Sequence, residues 1–345
     1  MASKTPKTFF RHFRMLIFTP LILLSIGTAQ TWACSEIWID TPNTQVSART
    51  FDFMFGDGFI RYTPRGTSQQ AQYTPAEAAP LKWTSRYAAL TFNTRFPCPS
   101  KGTFYAGVDG LNEAGLKIGT YYLPNSQFPK DGPRTTLDIA SLQQYFLDRF
   151  KTVDEALSDV NSGRYRVTNT PSREFNIMLH LYLHDSTGHS AILEFMDGAL
   201  KITDHPCLPV LTNTDYENAT ELIKHYSGFG GTAPIPGTQE SNDRFVRAAY
   251  YRQHLEPPQS ETEAIHYGLS LIKSVSIPPR FIHGCTQWTL ITDIQTRKIY
   301  FQTLDSPDLA IIDFKKLAAA ATRSYETDIM KTQFTGDITH LLIKN

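Results

Sequence analysis

Cys34 stands directly behind a segment built like an export signal, and this placement constrains the fold more than any other feature of the chain. Lys4, Lys7, Arg11 and Arg14 form a positive leader, and Met15 to Ile26 is apolar apart from Thr19, Pro20 and Ser25. Thr31 and Ala33 then occupy the small-residue positions that signal peptidase reads. The apolar run is too short and too broken for a membrane span of about 20 residues. Lipid attachment also ends at a cysteine, but it reads Leu three positions earlier, where this chain has Thr31. Residues 1–33 are therefore expected to be a cleaved signal peptide. Residues 34–345 form one exported domain, periplasmic or secreted, with no stable membrane insertion after the signal is removed. Its first residue would be a cysteine at the start of a strand.

The remaining composition is that of an ordinary globular chain. Basic and acidic residues balance at 33 each, which supports neither nucleic-acid binding nor a polybasic membrane patch. Four cysteines, Cys34, Cys98, Cys207 and Cys285, are too few for a disulfide framework, and no Cys-x-x-Cys pair points to structural zinc. Export allows one pair among Cys98, Cys207 and Cys285, and the sequence leaves open which.

Period-two stretches bounded by turn residues place strands at both ends of the chain. Ser35–Thr41 and Val46–Phe53 read as a hairpin turning at Pro42-Asn43. Phe104–Val108 and Leu116–Leu123 read as a second pair, joined at Asp109-Gly110-Leu111-Asn112. Glu174–His184 and Ser190–Phe195 turn through Asp185-Ser186-Thr187-Gly188, and Trp288–Asp293 pairs with Lys298–Thr303. Helical spacing covers Thr136–Phe150, Val153–Val160, Asp215–His225, Asp243–His254 and Glu261–Val275. Strands flanking helices in this order predict an α+β domain with antiparallel sheets.

An N-terminal cysteine would own a free α-amine with a pKa of about 7.7–8.0. Such an amine can take the thiol proton and later return it to a leaving amine, so nucleophile and base come from one residue. Arg49 and Asp52 lie on the returning strand of the first hairpin, where a cation could favour thiolate and a carboxylate could hold the α-ammonium. Strict alternation puts these two on opposite faces, so both reach Cys34 only if the strand bends or ends near Thr50.

Taken in order, four pieces resemble the choloylglycine hydrolase family. They are Cys34 with Arg49 and Asp52, Asp109-Gly110-Leu111-Asn112-Glu113-Ala114-Gly115-Leu116, Leu211-Thr212-Asn213, and Asn242-Asp243-Arg244-Phe245-Val246-Arg247-Ala248-Ala249. The resemblance spans Cys34 to about Thr303 and favours the exported, penicillin V acylase-like members over conjugated bile salt hydrolases. It implies a four-layer αββα sandwich of two antiparallel sheets, the N-terminal nucleophile hydrolase fold, cutting linear N-acyl amides without a cofactor or metal. It also implies roles. Cys34 attacks the carbonyl, Arg49 favours its thiolate and Asp52 orients its amine. Asn213 and Tyr122 sit at the oxyanion positions, and Arg244 completes the polar network. Phe51 lies where relatives touch the acyl half of the substrate, and Met54, Phe55 and Phe59 continue it as an apolar loop suited to a mostly apolar ligand. The Asn213-to-Arg244 spacing is shorter than in gut bile salt hydrolases. Their tetramer is therefore not carried over, although a homo-oligomer stays open. The expected partner is a small-molecule N-acyl amide, and export suggests substrates met outside the cell, where acyl-homoserine lactone signals pass. The alternatives are a bile salt hydrolase proper and an exported binding protein that keeps the fold while Cys34 is idle.

Two further features have bland explanations. His180, His184 and His189 lie close together in sequence, and 180 and 184 share a strand face as a zinc pair could, but no third ligand joins that pair and a solvated strand face explains them. Gly228-Phe229-Gly230-Gly231 lacks the Lys-Ser/Thr of a phosphate loop and reads as a loop only. Intact mass of the exported protein checks the starting point: the mature chain is expected to begin at Cys34 with a free amine. A different start, or a lipid-sized increment, would remove the basis for N-terminal catalysis.

Overall fold

Long alternating strands with few breakers build two large sheets in the computed structural model, which describes residues 33–41, 44–98, 102–171, 176–281, 284–330 and 333–343. The first sheet has seven strands. Ala33–Thr41 and Thr44–Phe53 form its opening hairpin, and Val210–Leu211 pairs outside the first of them. Cys285–Asp293, Lys298–Thr303, Ala310–Asp313 and Gly336–Asp337 extend it beyond the second, in that order. The second sheet has eight strands. From one edge to the other they run Ala199–Asp204, Ser190–Met196, Leu179–His184, Lys117–Tyr122, Gly102–Asn112, Ala89–Cys98, Gly58–Thr63 and Tyr325–Asp328. In these two sheets every described pair is antiparallel except Ala310–Asp313 with Gly336–Asp337.

Helices cover the outer faces. Helix α1 (Ile139–Arg149) packs on the Gly102–Asn112 and Lys117–Tyr122 strands, and α2 (Val153–Val160) follows it. Helix α3 (Tyr216–Ile223) leads to α4 (Ser241–His254) and α5 (Glu261–Lys273), which lie on the opening hairpin. The inner faces of the sheets meet each other, as the Lys117–Glu36 ion pair across them shows. The result is the expected α+β sandwich layered αββα.

Three boundaries differ from the sequence expectation, each for a local reason. Asp109 to Asn112 is not a turn; it ends the Gly102–Asn112 strand. The chain reverses one step later, where the Asn112 carboxamide oxygen accepts from the Gly115 and Leu116 amides and Gly115 takes φ +98°. Thr136–Phe150 is not helical throughout, because Thr135–Asp138 is a short strand and Asp138 caps α1 by accepting from the Ser141 amide. In the Glu174–His184 stretch, Asn176–Ile177 pairs with Thr170–Pro171, and the sheet strand begins at Leu179. The Pro42-Asn43 turn lies outside the described residues.

Gly119 marks a close approach between the two sheets. A Cβ there would strike the Tyr121 hydroxyl and stand 2.7 Å from a Glu36 carboxylate oxygen. Both groups are buried and hydrogen-bonded, so neither yields easily. Gly119→Ala is expected to cost about 1–3 kcal/mol of overpacking, read by calorimetry as a fall of several degrees in the melting midpoint. An unchanged midpoint would mean that this contact is slack.

Candidate functional site

Cys34 lies one residue into the first strand, directly opposite Phe51, and is only 4% exposed. Alternation sends Cys34, Glu36 and Trp38 towards the second sheet, where Trp38 stacks on His184 at 4.1 Å. Ser47, Arg49 and Phe51 share that inner face, and the Ser47 hydroxyl donates to Glu36 at 2.7 Å. Ser35, Thr50 and Asp52 face the helices, where Arg244 of α4 donates to the Ser35 hydroxyl. The hairpin register runs without a break from Ala33 opposite Asp52 to Thr41 opposite Thr44. The alternation read from the sequence holds, and the strand neither bends nor ends at Thr50. Arg49 and Asp52 stay on opposite faces, and both act on Cys34, Arg49 from the inner face and Asp52 from the helix side.

On the helix face the partner is the Cys34 nitrogen. It donates to the Asn213 side-chain oxygen at 2.7 Å, and Arg244 donates to that same oxygen at 2.8 Å and to the Cys34 carbonyl at 2.8 Å. Asp52 accepts from the Thr50 hydroxyl at 2.8 Å and the Thr286 hydroxyl at 2.5 Å, and it lies 4.0 Å from Arg244. Burial pushes the Asp52 carboxyl up to about 6, against the pull of Arg244, Thr286, Thr50 and Arg49.

On the inner face the partner is the sulfur. Burial raises the Cys34 thiol pKa, and the Arg49 guanidinium is the largest influence opposing it. Arg49 is held by the carbonyls of Thr50, Val108 and Thr120, by Asp109 at 3.6 Å and by the Tyr121 ring at 4.6 Å. Lys117 completes the network, 3.1 Å from Asp109 and 2.6 Å from Glu36. Glu36 also accepts from Tyr121 and lies 2.7 Å from His184. Burial works against the Glu36 anion, but Lys117 and His184 outweigh it and keep the carboxyl well below its usual range.

Asn213 bridges the two sheets. Its amide nitrogen donates to the Tyr122 carbonyl at 2.8 Å, which leaves one further N–H on an amide that carries two. The Tyr122 phenol is half-buried, and burial raises its pKa. The structure therefore brings Cys34, Arg49, Asp52, Asn213, Arg244 and the Tyr122 backbone into one connected set.

The apolar residues divide into two groups. Phe51 is buried and stacks on Trp288 at 4.0 Å. Phe59 lies in the Gly58–Thr63 strand, not in a loop, and is buried edge-on to Tyr105. Met54 and Phe55 are exposed. Asp109, Lys117, Glu36 and Thr286 were missed in the sequence. Their signal was available, since Glu36 and Lys117 are charges set inside otherwise apolar strands. The histidines need correction too. His180 and His184 are fully buried rather than solvated, bound to Glu194 and the Thr212 carbonyl and to Glu36 respectively. Cys34, Cys207 and Cys285 are free thiols, so no two of them are paired.

The family model for linear amide C–N hydrolases of the choloylglycine hydrolase family matches residues 34–325. Penicillin V acylase of Pectobacterium atrosepticum is 28% identical over 336 residues, covering 86% of this chain and 85% of that protein. The solved penicillin V acylase of Agrobacterium tumefaciens superposes with a TM-score of 0.75 at 27% identity, over 90% of this chain and 97% of its own. A variant of conjugated bile acid hydrolase from Clostridium perfringens shares the fold, with a TM-score of 0.69 at 18% identity over 87% of this chain and 98% of its own.

Thr286 offers a direct test of the Asp52 environment. Its hydroxyl favours the Asp52 anion, so Thr286→Val raises that pKa further. If ionised Asp52 is needed for turnover, the acid limb of the kcat/KM profile moves to higher pH in this variant. A limb that stays in place would assign it to another group.

Proposed function

This chain belongs to the choloylglycine hydrolase family of linear amide C–N hydrolases, and from that premise we propose that it is an exported acylase whose nucleophile is Cys34 at a processed amino terminus. One observation carries the proposal: Cys34 and Arg49 share the inner face of the hairpin, while the Cys34 nitrogen is held by Asn213, itself bound to Arg244 beside Asp52. With Ala33 attached, that nitrogen is a peptide N–H and cannot act as a base. Ala33 packs with Ile277 and Cys285 in a small cluster of its own. Its removal would free the amine next to Asp52 and open space beside the thiol. The unprocessed chain is accordingly an inactive precursor.

The residues then divide the work. The amine takes the Cys34 thiol proton as sulfur bonds to the amide carbon. The charge arriving on the carbonyl oxygen is met by the spare Asn213 N–H and by a donor at the Tyr122 position, a preorganised arrangement whose single donors are each worth about 10²–10³ in kcat. Asp52 and Asn213 orient the α-ammonium, which passes its proton to the leaving nitrogen. The C–N bond breaks and leaves a thioester. Water, deprotonated by the same amine, attacks the thioester carbon and releases the acid with Cys34 restored. Arg244 ties the Cys34 carbonyl, Ser35 and Asn213 together and so fixes the geometry.

For the acyl half we propose a phenoxyacetyl group or a medium-to-long fatty acyl chain, so the substrates are penicillin V or long-chain acyl-homoserine lactones. Met54 and Phe55 supply exposed apolar surface at the end of the hairpin, backed by the buried rings of Phe53 and Phe51. A panel of penicillin V, a long-chain acyl-homoserine lactone and glycocholate tests this. The expected result is kcat/KM at least about tenfold higher for one of the first two, about 1.4 kcal/mol. Equal or better cleavage of glycocholate would move the assignment to bile salts. Cys34→Ser should fold normally and lose nearly all turnover, because an alkoxide is far harder to form than a thiolate. Wild-type rates in that variant, or a wild-type thiol inert to iodoacetamide, would favour the exported binding protein.

A further inference from the structure

At the edge of the second sheet the proposed amidase chemistry leaves a set of metal-ligating groups unused. His189 precedes the Ser190–Met196 strand; Asp204 ends the neighbouring Ala199–Asp204 strand, which is paired with it in register, and His205 follows directly. The hairpin brings His189, Asp204 and His205 together, with one ligand atom from each within 4.8 Å of the others. We propose that these three residues form a binding site for a divalent transition ion of the zinc class, with Asp154 of α2 as the group that orients His189.

The ligand chemistry fits. Two imidazoles and one carboxylate are a common zinc donor set, leaving a fourth position for water. His189 is largely buried and held from both sides, with Nδ1 3.3 Å from Asp154 and Nε2 2.5 Å from Asp204. A histidine that ligates through one ring nitrogen is ordinarily fixed by a carboxylate on the other. Asp154 supplies that partner and leaves Nε2 directed at Asp204. His205 stands at φ +49°, a left-handed conformation uncommon outside glycine, and its amide donates to the Ser190 carbonyl at 3.0 Å. Its backbone is thereby fixed beside His189.

Loading requires only small movements at exposed groups. The rings of His189 and His205 lie face to face, with centroids 4.3 Å apart and planes 15° apart. The exposed His205 ring must turn so that its nitrogen edge meets the ion. Ligand distances of about 2.0–2.2 Å also require Asp204 to draw back from His189 by less than about 1 Å. The bound ion would clasp the sheet edge to α2 through Asp154, as a stabilising site apart from Cys34.

Calorimetric titration of the mature protein with zinc chloride, after its thiols are alkylated by iodoacetamide, tests the proposal. One ion per chain is expected, together with a rise in the melting midpoint. His189→Ala and His205→Ala should each weaken binding at least tenfold, and Asp154→Asn should weaken it by about tenfold as an orienting group. Melting of the variants without metal checks that they are folded, and His205→Ala is an exposed change that leaves the core intact. Absence of stoichiometric uptake, or uptake undiminished in the His189→Ala/His205→Ala double variant, would overturn the site.

Discussion

Two cations and two anions meet in the buried space between the sheets, and both the fold and the surroundings of Cys34 depend on them. Glu36 and Arg49 come from the opening hairpin, and Asp109 and Lys117 from the second sheet. All four are buried, so each would be costly alone, and only the alternation of sign makes the set tolerable. Removing one member strands a buried charge, at a cost of about 3–5 kcal/mol. The pairs also fix how the sheets lie on one another, since a slip would part Lys117 from Glu36 and Arg49 from Asp109 together. Arg49 belongs to this lattice and is also the cation nearest in effect to the Cys34 sulfur. The packing of the sandwich and the electrostatics of the thiol therefore share a cause.

Much of this was readable from residues in order, and what was not has identifiable physical reasons. Period-two runs located the opening hairpin and the Trp288–Asp293 strand within a few residues. Alternation gives a face, however, and not what stands opposite it. The separation of Arg49 and Asp52 across one strand therefore reads as an obstacle, although both act on Cys34 from their own faces. In sequence His180 and His184 look like surface groups, because their polarity is visible and their partners, Glu194 and Glu36, are not. Asp109-Gly110 has turn chemistry, but the Asn112 side chain closes the real turn beyond it. Phe59 could not be told from Phe55 by type. Only sheet pairing buries the one and leaves the other exposed.

The polar set around Cys34 also shows why site residues are harder to read than elements. Asn213 follows a two-residue strand, Arg244 sits in the first turn of α4 and Thr286 comes from a strand that begins near residue 285. Nothing local distinguishes them from ordinary turn, helix or strand residues. They become a site because Val210–Leu211 pairs beside the first strand and α4 lies across it. The irregular register between Thr286 and Trp288 gives the strand the local freedom to turn the Thr286 hydroxyl onto Asp52.

The opposite-face arrangement on the Thr44–Phe53 strand has a consequence for how such an enzyme can change. Asp52 and Arg244 act on the Cys34 thiol from the helix side, and Arg49 acts on Asp52 from the inner side. The strand therefore couples its two faces. A substitution among the α4 contacts that moves the Asp52 carboxyl also moves the thiol, and a change at Arg49 moves both. A lineage that retunes one of these groups shifts the other with it.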